Sequence, residues 1–357
     1  MIKTPTKFIA LLSGAAFLMS SAFAQGVTTA PVGYVTVAST DGDDVVVSPQ
    51  LLRATSLTGI PTSITAGELT LGSGSTVDEF VAEAHFVLFC SGTLSGEWFQ
   101  VTGNTTTTVT VSEDLVSLGA LTTDSVKVIP FWTLGTLFPD GAGFPGSTDV
   151  LNPVAFVLLN DVNAVGTNLS SGNSYFYNSG SQVAVGWYLN GAFGATVNDQ
   201  IITPETYFTI RNTSGAGSSA VVSGSVPVDQ VATQVGRLTA SAQDNQLVNP
   251  YPTPLSLADS QLFESGAVEG STDVLNPIDF VLVYDNAPAS GTNVSPARTY
   301  FYNIGSQVSV GWYLNGAFGA TVNDDTIPAG GAFIVRKANG AAGTVKWSPV
   351  VPYASQQ

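Results

Sequence analysis

The sequence predicts an all-β chain: two tandem β-sandwich-like domains from an internal duplication, with a small β-barrel or sheet inserted in the first. Three observations lead there. β-branched and aromatic residues fall in runs of roughly four to eight, separated by Gly, Asn, Asp and Ser clusters, and helical spacing is scarce. Residues 146–153 recur letter for letter at 270–277, and residues 175–199 match 300–324 at 23 of 25 positions. The first copy carries a surplus between Leu57 and Thr123 that the second lacks.

Taken in order, residues 1–24 read as a signal peptide. Lys3 and Lys7 precede an apolar run that closes on Ala22-Phe23-Ala24, an A-x-A cleavage site that leaves Gln25 as the mature terminus. No later run approaches the roughly 20 apolar residues of a membrane span. The expected location is secreted, extracellular or at the cell surface, with the periplasm as the alternative. Residues 25–56 with 124–230 make the first domain, starting at the strand pattern of residues 33–38. Residues 57–123 are the inserted small β-domain, with a short helix expected over 77–84 and strands at 85–89 and 105–111. Residues 231–357 repeat the first domain, Val235-Gly-Arg-Leu-Thr239 being set against Val32-Gly-Tyr-Val-Thr36.

The best-defined hairpin covers residues 174–189. With Asn178 opposite Val183, Phe176, Val185, Trp187 and Leu189 share one face, while Tyr175, Tyr177, Gly186 and Tyr188 share the other. The second copy repeats this with Tyr300, Tyr302 and Tyr313. Amphipathic aromatics on a rigid sheet suit stacking against sugar rings, so these six tyrosines form the expected ligand platform. Cross-strand pairing and cover for a glycine are their structural alternative.

The net charge is −16, and loss of Lys3 and Lys7 with the signal peptide makes it −18. Such a surface repels phosphate backbones, which argues against nucleic acid as a partner. Cys90 is the only cysteine, so no internal disulfide forms, and its apolar run reads as a buried strand. His85 is the only histidine, which leaves neither a Ser-His-acid site nor a zinc site any support. No phosphate-binding glycine motif is present. Paired carboxylates remain, as in glycoside hydrolases: Glu97 beside Trp98, and Glu79 with Glu83. Calcium, a weaker expectation, has its densest oxygen clusters at residues 41–44 and 323–325, neither with the spacing of an EF-hand loop.

The residues Pro31-Val-Gly-Tyr-Val-Thr36 and Ile129-Pro-Phe-Trp-Thr-Leu-Gly-Thr-Leu-Phe-Pro139 together resemble the marks of a paralogous family of secreted, functionally uncharacterised, β-rich bacterial proteins. The resemblance extends to Ser91-Gly92, Gly96 and the Thr-rich strand after Asn104, and more loosely to the Trp187 and Arg211 region. The second copy departs from it, lacking a counterpart of Trp132 and the Leu-Phe-Pro ending. The family implies no catalytic residue. The expected function is therefore a non-enzymatic extracellular or cell-surface protein, structural or adhesive, with self-assembly or an extracellular glycan as partner. A glycan-binding module is the alternative, and a glycoside hydrolase ranks behind both.

Overall fold

The computed structural model describes residues 31–72, 74–286 and 291–353, and the expected signal peptide lies outside them. The protein is almost entirely β. The helix expected over residues 77–84 is a single turn, α1 (Glu79–Ala82), and a second, α2 (Leu134–Leu137), is capped by Thr133.

Three sets of strands follow the chain. The first opens with β1 (Val32–Ser39) and β2 (Asp44–Val47). The second comprises β3 (Leu57–Gly59), β4 (Ser63–Ile64), β5 (Glu68–Thr70), β6 (His85–Phe89), β7 (Trp98–Asn104), β8 (Thr108–Val111) and β9 (Val126–Pro130). The first set then resumes with β10 (Trp132–Thr133), β11 (Ala155–Asn160), β12 (Ser171–Asn178), β13 (Gly186–Leu189), β14 (Ile201–Ile202), β15 (Phe208–Asn212) and β16 (Ser218–Ser225). The third runs through β17 (Thr233–Arg237), β18 (Gln243–Val248), β19 (Leu255–Ser256), β20 (Phe280–Val283), β21 (Arg298–Asn303), β22 (Gly311–Leu314), β23 (Thr326–Ile327), β24 (Ala332–Lys337) and β25 (Gly343–Trp347).

The first and third sets, here the first and second halves, are ordered alike. A five-stranded antiparallel sheet runs β13-β12-β11-β15-β2 in one and β22-β21-β20-β24-β18 in the other. Each is accompanied by two ribbons, β1-β16 with β10-β14, and β17-β25 with β19-β23. Alternation along the strands builds each core from one sheet face. In β15, Phe208 and Ile210 are buried while Thr209 and Arg211 turn to the opposite face. Trp187, Phe138 and Phe144 fill the first core, and Trp312, Trp347 and Phe333 the second.

The hairpin register differs from the sequence expectation. Asn178 lies opposite Gly186, not Val183, so Tyr177 faces Trp187 and Phe176 faces Tyr188. The Asn178 side chain is the cause. Its amide donates to the carbonyls of Gly180, Val183 and Ala184 and its oxygen accepts the Gly180 N–H, which holds a wide turn before the strands meet. Gly186 sits at φ 149°, where a Cβ would lie 2.8 Å from Thr196. Asn303 and Gly311 repeat the arrangement.

The middle strands form a seven-stranded half-barrel, ordered β3-β9-β6-β7-β8-β5-β4. Its concave core holds Phe80, Phe89, Leu115 and Val128, while Phe86, Leu88, Ile129 and Phe131 form a second apolar layer behind. Polar contacts tie this sheet to its surroundings. Lys127 pairs with Asp229 at 2.6 Å, the Trp98 indole donates to Glu205 of the first half at 2.8 Å, and Lys346 of the second half reaches Glu97 at 3.3 Å. No helix among the described residues is long and apolar enough to cross a membrane.

Candidate ligand cleft between the two five-stranded sheets

The outward faces of the two large sheets carry matching ion pairs. Antiparallel register sets Arg211 opposite Asp44 and Arg336 opposite Asp244, and directly opposed residues project to one face. Arg211 grips Asp44 through Nε and Nη2 at 2.8 and 2.7 Å, and Arg336 grips Asp244 at 2.7 and 2.8 Å. These fork geometries raise each guanidinium's pKa above its ordinary value, chiefly through the hydrogen bonds it donates to aspartate.

Each pair is completed by a loop from the other half. After β11, Asn168 donates its N–H to Asp244 at 2.8 Å and accepts from Arg336 at 3.0 Å, while Gly166 accepts the Asp244 N–H. After β20, Asn293 donates to Asp44 at 2.7 Å and accepts from Arg211 at 3.0 Å, while Gly291 accepts the Asp44 N–H. Such reciprocity, i to j and j to i, is the signature of a two-fold relation, here within one chain. The loops also cover β2 and β18, the exposed edges of their sheets.

Between the two faces lies a cleft of about 840 Å³. Hydroxyls and amides dominate the polar lining, among them Ser174, Thr209, Gln246 and Thr299, with Leu158 and Leu282 as apolar floor. The arginines and aspartates cancel one another, so the cleft presents little net charge. Two rings stand in it, Tyr207 and Tyr284, with centroids 6.4 Å apart, and burial raises both phenols. A second cavity of about 310 Å³ shares Leu169, Asp244 and Gln246 with the cleft and reaches Glu205, Trp98 and Glu97. Burial pushes the Glu205 carboxyl up to about 7, against the opposing effect of its hydrogen bonds with its own backbone and Trp98.

The expected tyrosine platform is not formed. Tyr175 and Tyr177 enter the first core beside Trp187, whereas Tyr188 packs with Phe176 on the opposite face. Tyr300 and Tyr313 divide the same way, and half-buried Tyr302 stacks on Phe263 at 3.8 Å. The reason is the wider turn, which changes which residues share a face. Their hydroxyls are engaged too: Tyr175 on Gln200, Tyr188 on Ala184, Tyr300 on Asp325, Tyr313 on Ser309.

The carboxylate candidates separate. Glu79 accepts from the N–H and hydroxyl of Thr76, which lowers its pKa, Glu83 pairs with Arg53, and Glu97 borders the smaller cavity. In the calcium candidates, Asp41 accepts from Gly215, Asp43 from Gly291, Asn323 from Trp312 and Asp325 from Tyr300. Among the described residues no group of three or more His, Cys, Asp or Glu is placed to hold a metal ion. His85 is buried, its Nδ1 donating to Glu83 O at 2.6 Å while Nε2 accepts from Ser56 at 3.0 Å. Burial raises the half-buried Cys90 thiol to about 12, far from a reactive thiolate.

Sequence patterning does not single out Asp244, Asn168, Asn293, Tyr207 or Tyr284, and it marks Asp44 only within the calcium-type cluster of residues 41–44. One signal was present. Arg211 and Arg336 recur at the same repeat position, closing an alternating strand in one half and a continuous apolar run in the other, which is unusual for a chain with ten basic residues. In comparisons with known proteins, no family model, curated protein or solved structure matches the chain.

Proposed function

We propose that the chain is a secreted, non-enzymatic protein of the cell exterior, structural or adhesive in role, whose central cleft binds a neutral glycan. The observation that carries this reading is the cleft itself: about 840 Å³, within the range of small-molecule sites, lined by hydroxyls and amides with two tyrosine rings and internally neutralised charge. Neutral polyols match such a lining, since each sugar hydroxyl both donates and accepts and each ring offers an apolar face to an aromatic. A polyanion meets two arginines already held by aspartates, in a chain of net charge −16.

Export rests on the tripartite pattern of residues 1–24, and the two halves are read as copies of one duplicated sandwich-like domain. Their repeated sequence and like strand order support the second point. The test is calorimetric titration of the mature protein with cellohexaose, maltohexaose and xylohexaose, beside a Gln246→Ala variant. Binding of at least one, weakened about tenfold or more by the substitution, is expected from the loss of charge-neutral hydrogen bonds. No binding to any of the three overturns the reading.

A further inference from the structure

The cleft is built from two like halves, and a fully symmetric version would offer two equal subsites or accept a chain in either direction. Several paired positions break that equality, and four of them change the chemistry beside the ion pairs and the tyrosines. Asn160 in the first half corresponds to Tyr284 in the second, and Tyr207 corresponds to Ala332. Thr209 is matched by Ile334, and Val46 by Gln246, each pair standing at the same register position beside its Arg–Asp pair.

The two aromatic differences meet. Tyr207 and Tyr284 meet across the halves at 6.4 Å, so one side of the two-fold relation has an aromatic wall. Their counterparts carry no ring: Asn160 lines the cleft with an amide that donates to the Tyr207 carbonyl at 3.0 Å, and Ala332 is buried outside the lining. The edge strands differ as well: the Asn286 side chain brackets the backbone of Val46 at 2.9 and 2.6 Å, while the corresponding β18 strand has the Gln246 side chain turned to the cleft. Tyr207 is buried, whereas Tyr284 is half-buried and keeps part of its ring accessible.

We propose that the cleft seats a single glycan chain in one fixed direction, with one sugar ring stacked on Tyr284 and the polar side of the chain toward Asn160. This rests on the glycan reading and adds stoichiometry and polarity to it. A sugar chain has unlike ends, so a site with one aromatic and one amide wall distinguishes its two orientations, which a symmetric site cannot do.

The experiment uses the mature protein with the same three hexaoses, followed by methyl NMR with the binding hexaose carrying a nitroxide at its reducing end. Leu158 and Leu282 are counterparts, both line the cleft, and both carry methyls. One site per chain, and broadening of one leucine but not the other, is the expected result. Tyr284→Asn should weaken binding tenfold or more, Tyr284→Phe should keep it, and adding Asn160→Tyr to Tyr284→Asn should restore binding with the other leucine broadened. Two sites per chain, or equal broadening of both leucines, overturns the proposal while leaving glycan binding intact. Absence of binding by all three hexaoses overturns the glycan reading and this proposal with it. The NMR measurement on the unchanged chain decides even if a Tyr284 variant fails to fold.

Discussion

Asn168 and Asn293 hold each other's halves in the same way: each, at φ 55° and 59°, gives its N–H to the other half's aspartate and takes a hydrogen bond from the other half's arginine. Asparagine tolerates this left-handed backbone better than most residues, and here it puts donor and acceptor on one short loop. Arg336→Met leaves Asp244, whose side chain is wholly buried, without its cation. A loss of about 3 kcal/mol is expected, at the low end for broken buried pairs because the arginine is partly exposed. Asp244→Asn combined with Arg336→Met should recover much of it. Urea unfolding midpoints of the four proteins check this, and equal midpoints for single and double variants would remove the pair from the stability account.

The half-buried Glu205, on the wall of the smaller cavity, makes stability depend on pH. Its folded pKa, about 7, lies above the ordinary value of 4.5, so its contribution is fully present below pH 4.5 and is lost as pH rises through about 7. The unfolded chain ionises in that window while the folded chain resists. About 2–3 kcal/mol is at stake, and Glu205→Gln should abolish that dependence and raise stability at pH 8 while keeping the Trp98 indole's acceptor. Melting temperatures of both proteins from pH 4 to 8 test it, parallel curves being the adverse result.

The β character and the two repeated stretches were legible because period-two alternation and repetition are local properties of the sequence. Register was not. The face shared by Tyr177 and Trp187 depends on where Asn178 spends its amide, and a side chain bridging three carbonyls of the turn leaves no periodic trace. The same limit affects the start of the second half. Residues 235–239 resemble 32–36, yet Val235 pairs with Val345 as Val37 pairs with Ala220, so strand pairing sets Val235 against Val37. The cleft was hidden for another reason: its ion pairs, Asp44 with Arg211 and Asp244 with Arg336, join residues far apart in sequence, and their asparagine partners come from the opposite half.

Trp187 is buried among Phe138, Phe144 and Tyr177, and its indole N–H has no hydrogen-bond partner among the described residues. Cutting it to alanine should cost about 3–5 kcal/mol, as for other large aromatics. Trp187→Phe removes the orphan donor along with part of the ring, so its cost should stay below about 2 kcal/mol. Chemical denaturation of both variants distinguishes the cases, and equal losses would mean that the ring volume phenylalanine restores contributes nothing.

The half-barrel enters and leaves at one place, because Leu57 pairs with Val128 and the Ser56 N–H donates to the Val128 carbonyl at 2.9 Å. Adjacent ends allow a short bridge at little entropic cost, which grows only with the logarithm of loop length. Where the cut falls then matters. Strand β9 is hydrogen-bonded to β3 and β6, so deleting residues 57–123 removes both its neighbours and leaves Val126, Val128 and Ile129 bare. Deleting 57–130 takes the whole sheet and resumes the chain just before β10, which pairs with β14 of the first half. Phe131 then loses its contacts with Phe86 and Trp98, and Glu205 its indole donor, so Phe131→Ser and Glu205→Gln should accompany the longer deletion. With a Gly-Ser bridge to residue 131, that variant is expected to keep a β-type circular dichroism spectrum and cooperative melting, while the 57–123 deletion aggregates. The reverse outcome, a cooperative shorter deletion beside an unfolded longer one, would assign β9 to the first half rather than to the inserted sheet.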